Sequence, residues 1–292
     1  MHKRLAYTVF ATLIACVLGL AAFGRASLAS DAASTSSSTL RVSVIDVGKG
    51  DCILVRAGDS CALIDAGYEK TAADVLGYLE GQSVKRLDAL VLTHYDRDHV
   101  GGVGKMGRGV DIGTVYLPAY VGSDENYRSC VAAVRGLGVP TKSVKEEVAF
   151  DLGGAHLTIL PSGVPYVPGA GGDEGNDNDA SLVVTVANGR DSYLFAGDLE
   201  EEGVDAFLKA KRGKFDVIKM PHHGRRSSNT ADLLEEVRPQ IAVITDSSKD
   251  PAEKKVLKLL KQSGVDVYRT SSDGTIVIES KGAGKYAVST SD

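Results

Sequence analysis

The sequence predicts an α/β fold of four layers, αββα: two sheets packed face to face, helices on their outer faces, and a site along one edge. Three observations predict it. Short β-branched runs alternate with segments of helical spacing through both halves of the 292-residue chain. Each half delivers aspartates and histidines directly after apolar runs, so two separate sets of strand ends converge on one place. The chain also lacks tryptophan and holds 33 glycines, which suits many strands and turns.

Residues 1–29 read as a signal peptide or an N-terminal membrane anchor. His2, Lys3 and Arg4 make a basic start, residues 5–24 carry no charge, and Ser27-Leu28-Ala29 offers a small-x-small cleavage pattern. The uncharged run is just long enough to span a bilayer uncleaved, and Leu13-Ile14-Ala15-Cys16 loosely resembles a lipobox. Each variant implies export: a secreted, extracellular protein, or one held on the membrane through residues 5–24 and facing outward. Residues 30–39 form a Ser-rich linker, and residues 40–292 one domain.

Within that domain, residues 40–47 are rich in β-branched side chains and read as a strand. Residues 53–56 and 62–64 pair as a hairpin around Ala57-Gly58-Asp59, closed by Asp65-Ala66-Gly67. Residues 71–79 place Ala72, Val75, Leu76 and Leu79 on one helical face. Strands follow at 87–92 and 114–117, a helix at 126–137, strands at 145–150 and 156–160, and a Gly/Pro-rich loop at 161–175. The second half begins near Asn176, with strands at 181–187 and 192–195 and a helix at 200–210. Then come a strand at 215–219, a helix at 231–237 and a strand at 241–245. A helix at 251–262 has Lys254, Lys255, Lys258 and Lys261 as its solvated face, and strands at 267–270 and 274–279 complete the set. No repeat of fixed period is present.

The chemistry concentrates at residues 94–99, which read His94-Tyr95-Asp96-Arg97-Asp98-His99, with Gly101 and Gly102 close behind. Four metal-capable side chains within six residues, at the end of a buried strand, can aim at one spot, and the glycines let backbone pass close by. Carboxylate and imidazole in equal number suit divalent metals of intermediate hardness. Of the six histidines, His94, His99, His222 and His223 fall in two compact clusters. Cys52 and Cys61 would not face each other across the hairpin, so they read as small buried thiols, and no Cys-x-x-Cys pattern offers a thiolate site. A net charge of -5 and a pI near 5.7 argue against a high-affinity non-specific DNA binder. They leave room for an enzyme that meets phosphates through metal ions.

These motifs resemble the metallo-β-lactamase fold of metal-dependent hydrolases, over nearly everything from Leu40 onward. Within it they are most similar to the hydrolase domain of ComEC-type competence proteins of bacterial DNA uptake. The matching stretches are Val44 through Asp51, Leu63-Ile64-Asp65-Ala66-Gly67, Thr93 through Gly102, and Asn178 through Val183. They continue with Phe195-Ala196-Gly197-Asp198 and Lys219-Met220-Pro221-His222-His223-Gly224. The resemblance implies two divalent metal ions, Zn or Mn: His94 and Asp96 on one, Asp98 and His99 on the other, Asp198 bridging, and His222, His223 or both completing the shell. Asp98 and His223 would be central to catalysis, with water activated by the metals as nucleophile. Many relatives carry histidine at the position of Asp96 and a further histidine before the bridging aspartate. His156 is the one candidate for the latter and reads as structural. The site is therefore rich in oxygen ligands, which favours manganese as a rival to zinc and disfavours antibiotic hydrolysis.

Paired ions suit in-line attack on a phosphodiester, and the resemblance points to DNA as that substrate. Arg225, Ser227, Ser228 and Asn178 are candidates to hold it, Arg225 through paired donors to phosphate. Arg226, Asn229 and Ser181 are close by; a solvated loop or a strand-entry turn is the alternative for all of these. Asp46 and Asp51 read either as supports behind the ligands or as turn residues, and Asp65 as an architectural residue holding the metal loops. Lys219 reads as a strand end or a phosphate neutraliser. Two other functions stay open: a phosphoesterase of cell-surface decorations such as phosphocholine or teichoic acid, and a non-catalytic metal-binding member of an envelope complex. No protein partner can be inferred.

Overall fold

The computed structural model describes residues 39–169 and 176–291. The segments read as leader and linker lie outside these, apart from residue 39, as do residues 170–175 of the expected Gly/Pro-rich loop. Among the described residues, no helix is long and apolar enough to cross a membrane.

Two sheets form the middle of the molecule. The first is built from β1 (Leu40–Val44), β2 (Ile53–Ala57), β3 (Ser60–Ile64), β4 (Arg86–Val91), β5 (Asp111–Pro118) and β6 (Thr141–Val144). The second starts with β7 (Val148–Leu152), β8 (Ala155–Leu160), β9 (Val183–Asn188) and β10 (Asp191–Phe195). It continues with β11 (Val217–Lys219), β12 (Ile241–Ile244) and β13 (Asp266–Arg269). The chain then returns to the first sheet with β14 (Ile276–Ser280) and β15 (Tyr286–Thr290). The strand orders are β15-β14-β1-β2-β3-β4-β5-β6 and β13-β12-β11-β10-β9-β8-β7. Each sheet is antiparallel through its hairpins and turns parallel where helices make the crossovers, from β3 to β6 and from β10 to β13.

The helices are α1 (Ala72–Gly81), α2 (Arg97–Val100), α3 (Val103–Met106), α4 (Glu125–Leu137), α5 (Glu201–Lys209), α6 (Thr230–Val237), α7 (Lys254–Gln262) and α8 (Thr270–Asp273). Burial explains the four layers. Val42, Val44, Val55 and Ile64 of the first sheet pack against Leu157, Val184, Tyr193 and Phe195 of the second. The opposite face of the first sheet, with Leu54, Leu63 and Leu90, packs under Val75, Leu79, Met106 and Val134. The outer face of the second, with Leu194, Ile218 and Ala242, packs under Val204, Phe207, Leu233 and Val256. Strands buried on both faces read as continuous apolar runs, which is why 87–92 carries no alternation.

The αββα sandwich expected from sequence is the observed fold. Most elements fall within a few residues of their expected positions. The run 145–150 differs: it covers a turn and most of β7, while β6 was not expected because Thr141 to Ser143 are polar and exposed. β15 and the single-turn helices α2, α3 and α8 also lack a readable period. The helix expected from Pro251 starts at Lys254, and its four lysines are solvent-facing. Cys52, Cys61 and Cys130 are free and buried.

Polar contacts also tie the sheets together beyond apolar packing. The Tyr193 hydroxyl on β10 donates to Ser280 Oγ on β14 at 2.8 Å. Asp191 accepts from the Gly282 and Gly284 amides at 2.5 and 2.6 Å. Leu157→Ala is expected to destabilise the protein by about 2–5 kcal/mol in urea denaturation, because a cavity between two rigid sheets cannot collapse. Tyr193→Phe should cost about 1 kcal/mol, the usual worth of one buried hydrogen bond.

Candidate metal centre

Three strand ends deliver the cluster. β4 runs out into Thr93, His94, Asp96, Asp98 and His99; β10 ends before Asp198; β11 ends before His223. Glycines permit the close packing this needs. A Cβ on Gly50 would lie 2.6 Å from the Asp98 carbonyl oxygen, and one on Gly102 would lie 2.2 Å from that of Ala66. The His222-His223 pair sits in left-handed backbone at φ 45° and 53°, an uncommon conformation for residues other than glycine. That bend separates two neighbouring side chains. His223 turns inward, with Nε2 2.9 Å from Asp198 Oδ2 and 3.5 Å from Asp98 Oδ2. His222 turns away, with Nδ1 3.0 Å from Glu200 Oε1.

Ligand-type atoms of His94, His99 and Asp198 lie within 4.8 Å of one another, as do those of Asp98, His99 and His223. Asp96 Oδ2 is 3.6 Å from His94 Nε2. The surrounding hydrogen bonds fix how the imidazoles face. The Thr93 hydroxyl donates to Asp65 Oδ2 at 2.7 Å, so its oxygen is free to accept from His94 Nδ1 at 3.1 Å. Asp65 Oδ2 also accepts from His99 Nδ1 at 2.8 Å. The Thr245 hydroxyl donates to Asp51 Oδ1 at 2.7 Å and accepts from His223 Nδ1 at 2.9 Å. All three rings therefore spend Nδ1–H on the protein and turn Nε2 to the cluster, the pattern of histidines that ligate metals.

The donor set fits divalent ions. His94 Nε2 and Asp96 Oδ1 are buried without a hydrogen-bond partner, and His99 Nε2 faces His223 Nε2 at 3.3 Å. Burial opposes charge on these groups, yet Asp198 together with Asp65 raises His99, and Asp198 together with Asp98 raises His223, above the usual imidazole range. Burial likewise opposes ionisation of Asp198, but His223, His99 and Lys219 hold its carboxyl well below the usual range. A cage this rich in carboxylate draws protons onto its imidazoles, and metal ions would displace them.

The sequence reading is corrected at several positions. Of His222 and His223, either or both of which could complete the shell, only His223 belongs to a ligand group. Arg225 pairs with Asp250 at 2.9 and 3.0 Å, and the Ser227 hydroxyl donates to Asn229 Oδ1 at 2.8 Å at the start of α6. Ser228 lines an outer groove with Lys255 and Lys258. None of these three is at the cluster, because the chain leaves it after Gly224 along residues 225–229, which lead into α6. Asp46 is exposed; its carboxylate accepts from the Gly48 amide and its own amide donates to Thr275 Oγ1, so it is a turn residue. Asn178 is half-buried and donates to Glu200 Oε1 at 3.2 Å, beside His222. His156 is exposed on β8 and paired with Asp151.

Lys219 was underread. It is fully buried, with Nζ 2.6 Å from Asp51 Oδ2 and 3.2 Å from Asp198 Oδ1, and it donates to the Gly197 carbonyl at 3.0 Å. A lysine at the end of an apolar strand gives no sign of this. Asp177 was missed altogether. It is buried against Asp96, and burial and that carboxylate push its carboxyl up to about 7. The only signal was the polar run Asn176-Asp177-Asn178-Asp179. Thr93 and Thr245 were also missed, since a threonine after a strand looks like a cap.

A family model of the Metallo-beta-lactamase superfamily matches residues 45–244, which contain His94, Asp96, Asp98, His99, Asp198 and His223. The chain belongs to that superfamily, whose members are generally metal-dependent hydrolases. It is 29% identical over 262 residues to ComE operon protein 3 of Bacillus subtilis, covering 82% of this chain and 33% of that one. It is 30% identical over 222 residues to Recombination protein 2 of Haemophilus influenzae, covering 74% and 25%. The chain thus spans a third or less of the length of these relatives. Among solved structures it is similar to the metallo-beta-lactamase fold protein YhfI of Bacillus subtilis, with a TM-score of 0.55 and 14% identity, over 83% of this chain and 100% of that one.

Removing the buried ammonium should be costly. Lys219→Met leaves Asp51 and Asp198 facing each other without their counter-charge, and an expected loss of about 3–5 kcal/mol in urea denaturation of the metal-stripped protein checks this.

Proposed function

We propose that this metallo-β-lactamase-fold hydrolase is a phosphodiesterase acting on DNA with two divalent ions, Zn or Mn. The observation that carries the reading is the set of three imidazoles, each locked through Nδ1 and each turning Nε2 toward Asp198 and its neighbouring carboxylates. His94, Asp96 and Asp198 would hold one ion, and Asp98, His99, His223 and Asp198 the other. Bound there, such ions lower the pKa of water and neutralise non-bridging phosphate oxygens. The likeness to competence proteins supports DNA as the polymer that is cut.

The chain's own residues do the positioning. Asp65 orients His99 directly and His94 through Thr93. Thr245 orients His223 and is itself held by Asp51. Lys219 holds Asp198 from behind through Oδ1, leaving Oδ2 toward His99 and His223. Asp98 and His223, 3.5 Å apart at the open end of the cluster, are the groups placed nearest an entering substrate, since Asp98 is more exposed than His94, His99 or Asp198. The basic, apolar leader at residues 1–29 supports action outside the cytoplasm, either secreted or membrane-anchored.

Metal-stripped protein should cleave neither a linear oligonucleotide nor bis(p-nitrophenyl) phosphate, and Mn or Zn should restore both. Asp98→Ala should lose about a hundredfold or more in kcat/KM, more than the 10–100-fold typical of residues behind the ligands. Full activity of Asp98→Ala on both substrates would overturn the reading; turnover of a phosphocholine ester alone would move the substrate to cell-surface decorations.

A further inference from the structure

Two clefts flank the candidate metal centre, and they differ sharply in charge. One, of about 570 Å³, lies beside His222 and is lined by Asp179, Glu200, Glu201, Glu202, Asp205 and Glu253 against Arg225 and Arg226. The other, of about 600 Å³, lies between the 68–70 turn, the start of α2, α3 and the face of α4. Its charged lining is Lys70, Arg97, Lys105 and Arg108 against a single carboxylate, Glu69. Glu69 is engaged by Lys105 at 3.4 Å, which leaves an excess of three positive charges. In a chain of net charge -5, whose other dense set of exposed lysines lies on α7, this excess beside the ligand loop contrasts with the acidic cleft.

This basic cleft adjoins the ligand loop. Arg97 stands between Asp96 and Asp98, and Val100 and Gly101 form part of the wall. At the same end, Tyr68 carries the Lys70 ammonium 4.7 Å from its ring centre. A ring with a cation over it can stack on a base and pair with a phosphate, the two contacts that bind single strands without sequence preference. The volume is that of a pocket for a drug-sized ligand, so it takes one strand and not a duplex.

We propose that the cleft of Lys70, Arg97, Lys105 and Arg108 is a phosphate-binding subsite that guides a single strand of nucleic acid to or from the metal centre. The inference rests on the phosphodiesterase reading and adds to it the path of the polymer: in over the basic wall, and away from the acidic cleft at His222. It makes the protein a polymer enzyme whose affinity comes from phosphates outside the one being cut.

The test is binding of a fluorescein-labelled single-stranded 20-mer to the full chain in EDTA, followed by anisotropy from 50 to 200 mM salt. Each cation that meets a phosphate contributes about 0.7 to the slope of log K against log salt for single strands. Lys70→Gln/Arg108→Gln should therefore flatten the slope by about 1.4 and raise Kd at low salt. Lys254→Gln/Lys261→Gln removes the same charge from the solvated face of α7 and should leave the slope as in wild type. No binding by wild type, equal effects of the two double variants, or no effect of the first would overturn the subsite. Equal competition by a glycerol-phosphate polymer would overturn the assignment to nucleic acid. Because no metal or turnover is needed, a protein that binds the strand this way but cleaves no phosphodiester sinks the proposed activity and leaves the subsite standing.

Discussion

A dense buried negative charge is the constraint around which this molecule is organised. Asp51, Asp98 and Asp198 are buried together where three strand ends meet, and burial alone would favour their neutral forms. They stay ionised because the fold supplies positive partners at short range. Lys219 serves Asp51 and Asp198, and the imidazoles of His99 and His223 serve the rest. A carboxylate cage that the protein neutralises with one buried lysine and by drawing protons onto imidazoles is a cage made for cations. That single feature links the fold, the family and the proposed activity.

The sandwich exists to hold these groups still. Both sheets turn parallel on the side where their strands end at the cluster, and parallel strands need the helical crossovers that form the outer layers. The residues behind the cluster then form relays: Asp65 to Thr93 to His94, and Asp51 to Thr245 to His223. Each relay starts at a carboxylate on the first sheet. The second crosses to the second sheet, since Asp51 lies before β2 and Thr245 after β12. The interface between sheets is thus polar at the cluster edge and at the contact of Tyr193 with Ser280, with apolar packing between, and slippage between the sheets would disturb that packing and ring orientation together.

Charge also gives the surface a direction. The ligand loop is bordered on one side by acids and on the other by Lys70, Arg97, Lys105 and Arg108. Overall acidity hides this, because net charge sums over faces that a bound polymer never touches together. The arginine expected to meet substrate, Arg225, lies on the acidic side and is neutralised by Asp250, whereas the cations of the other cleft are Arg97, from within the ligand motif, and Lys70, Lys105 and Arg108, from outside it.

Sequence alone determined the layered α/β architecture, the strand ends that carry chemistry, and the ligand types, because hydrophobic period and the density of aspartate and histidine are local properties. It brought together His94, Asp96, Asp98, His99, Asp198 and the late histidine pair across more than a hundred residues of chain, through their resemblance to one family. Tertiary structure decided the rest. Two adjacent histidines are equivalent on paper, and only the left-handed turn after Pro221 sends His223 inward and His222 out. Lys219, Thr93 and Thr245 look like ordinary strand-end residues until folding brings Asp51 and Asp198 to Lys219, Asp65 to Thr93 and Asp51 to Thr245. The physical reason is the same in each case: the meaning of a polar group depends on the charge it faces after burial, and that charge comes from residues far away in the chain.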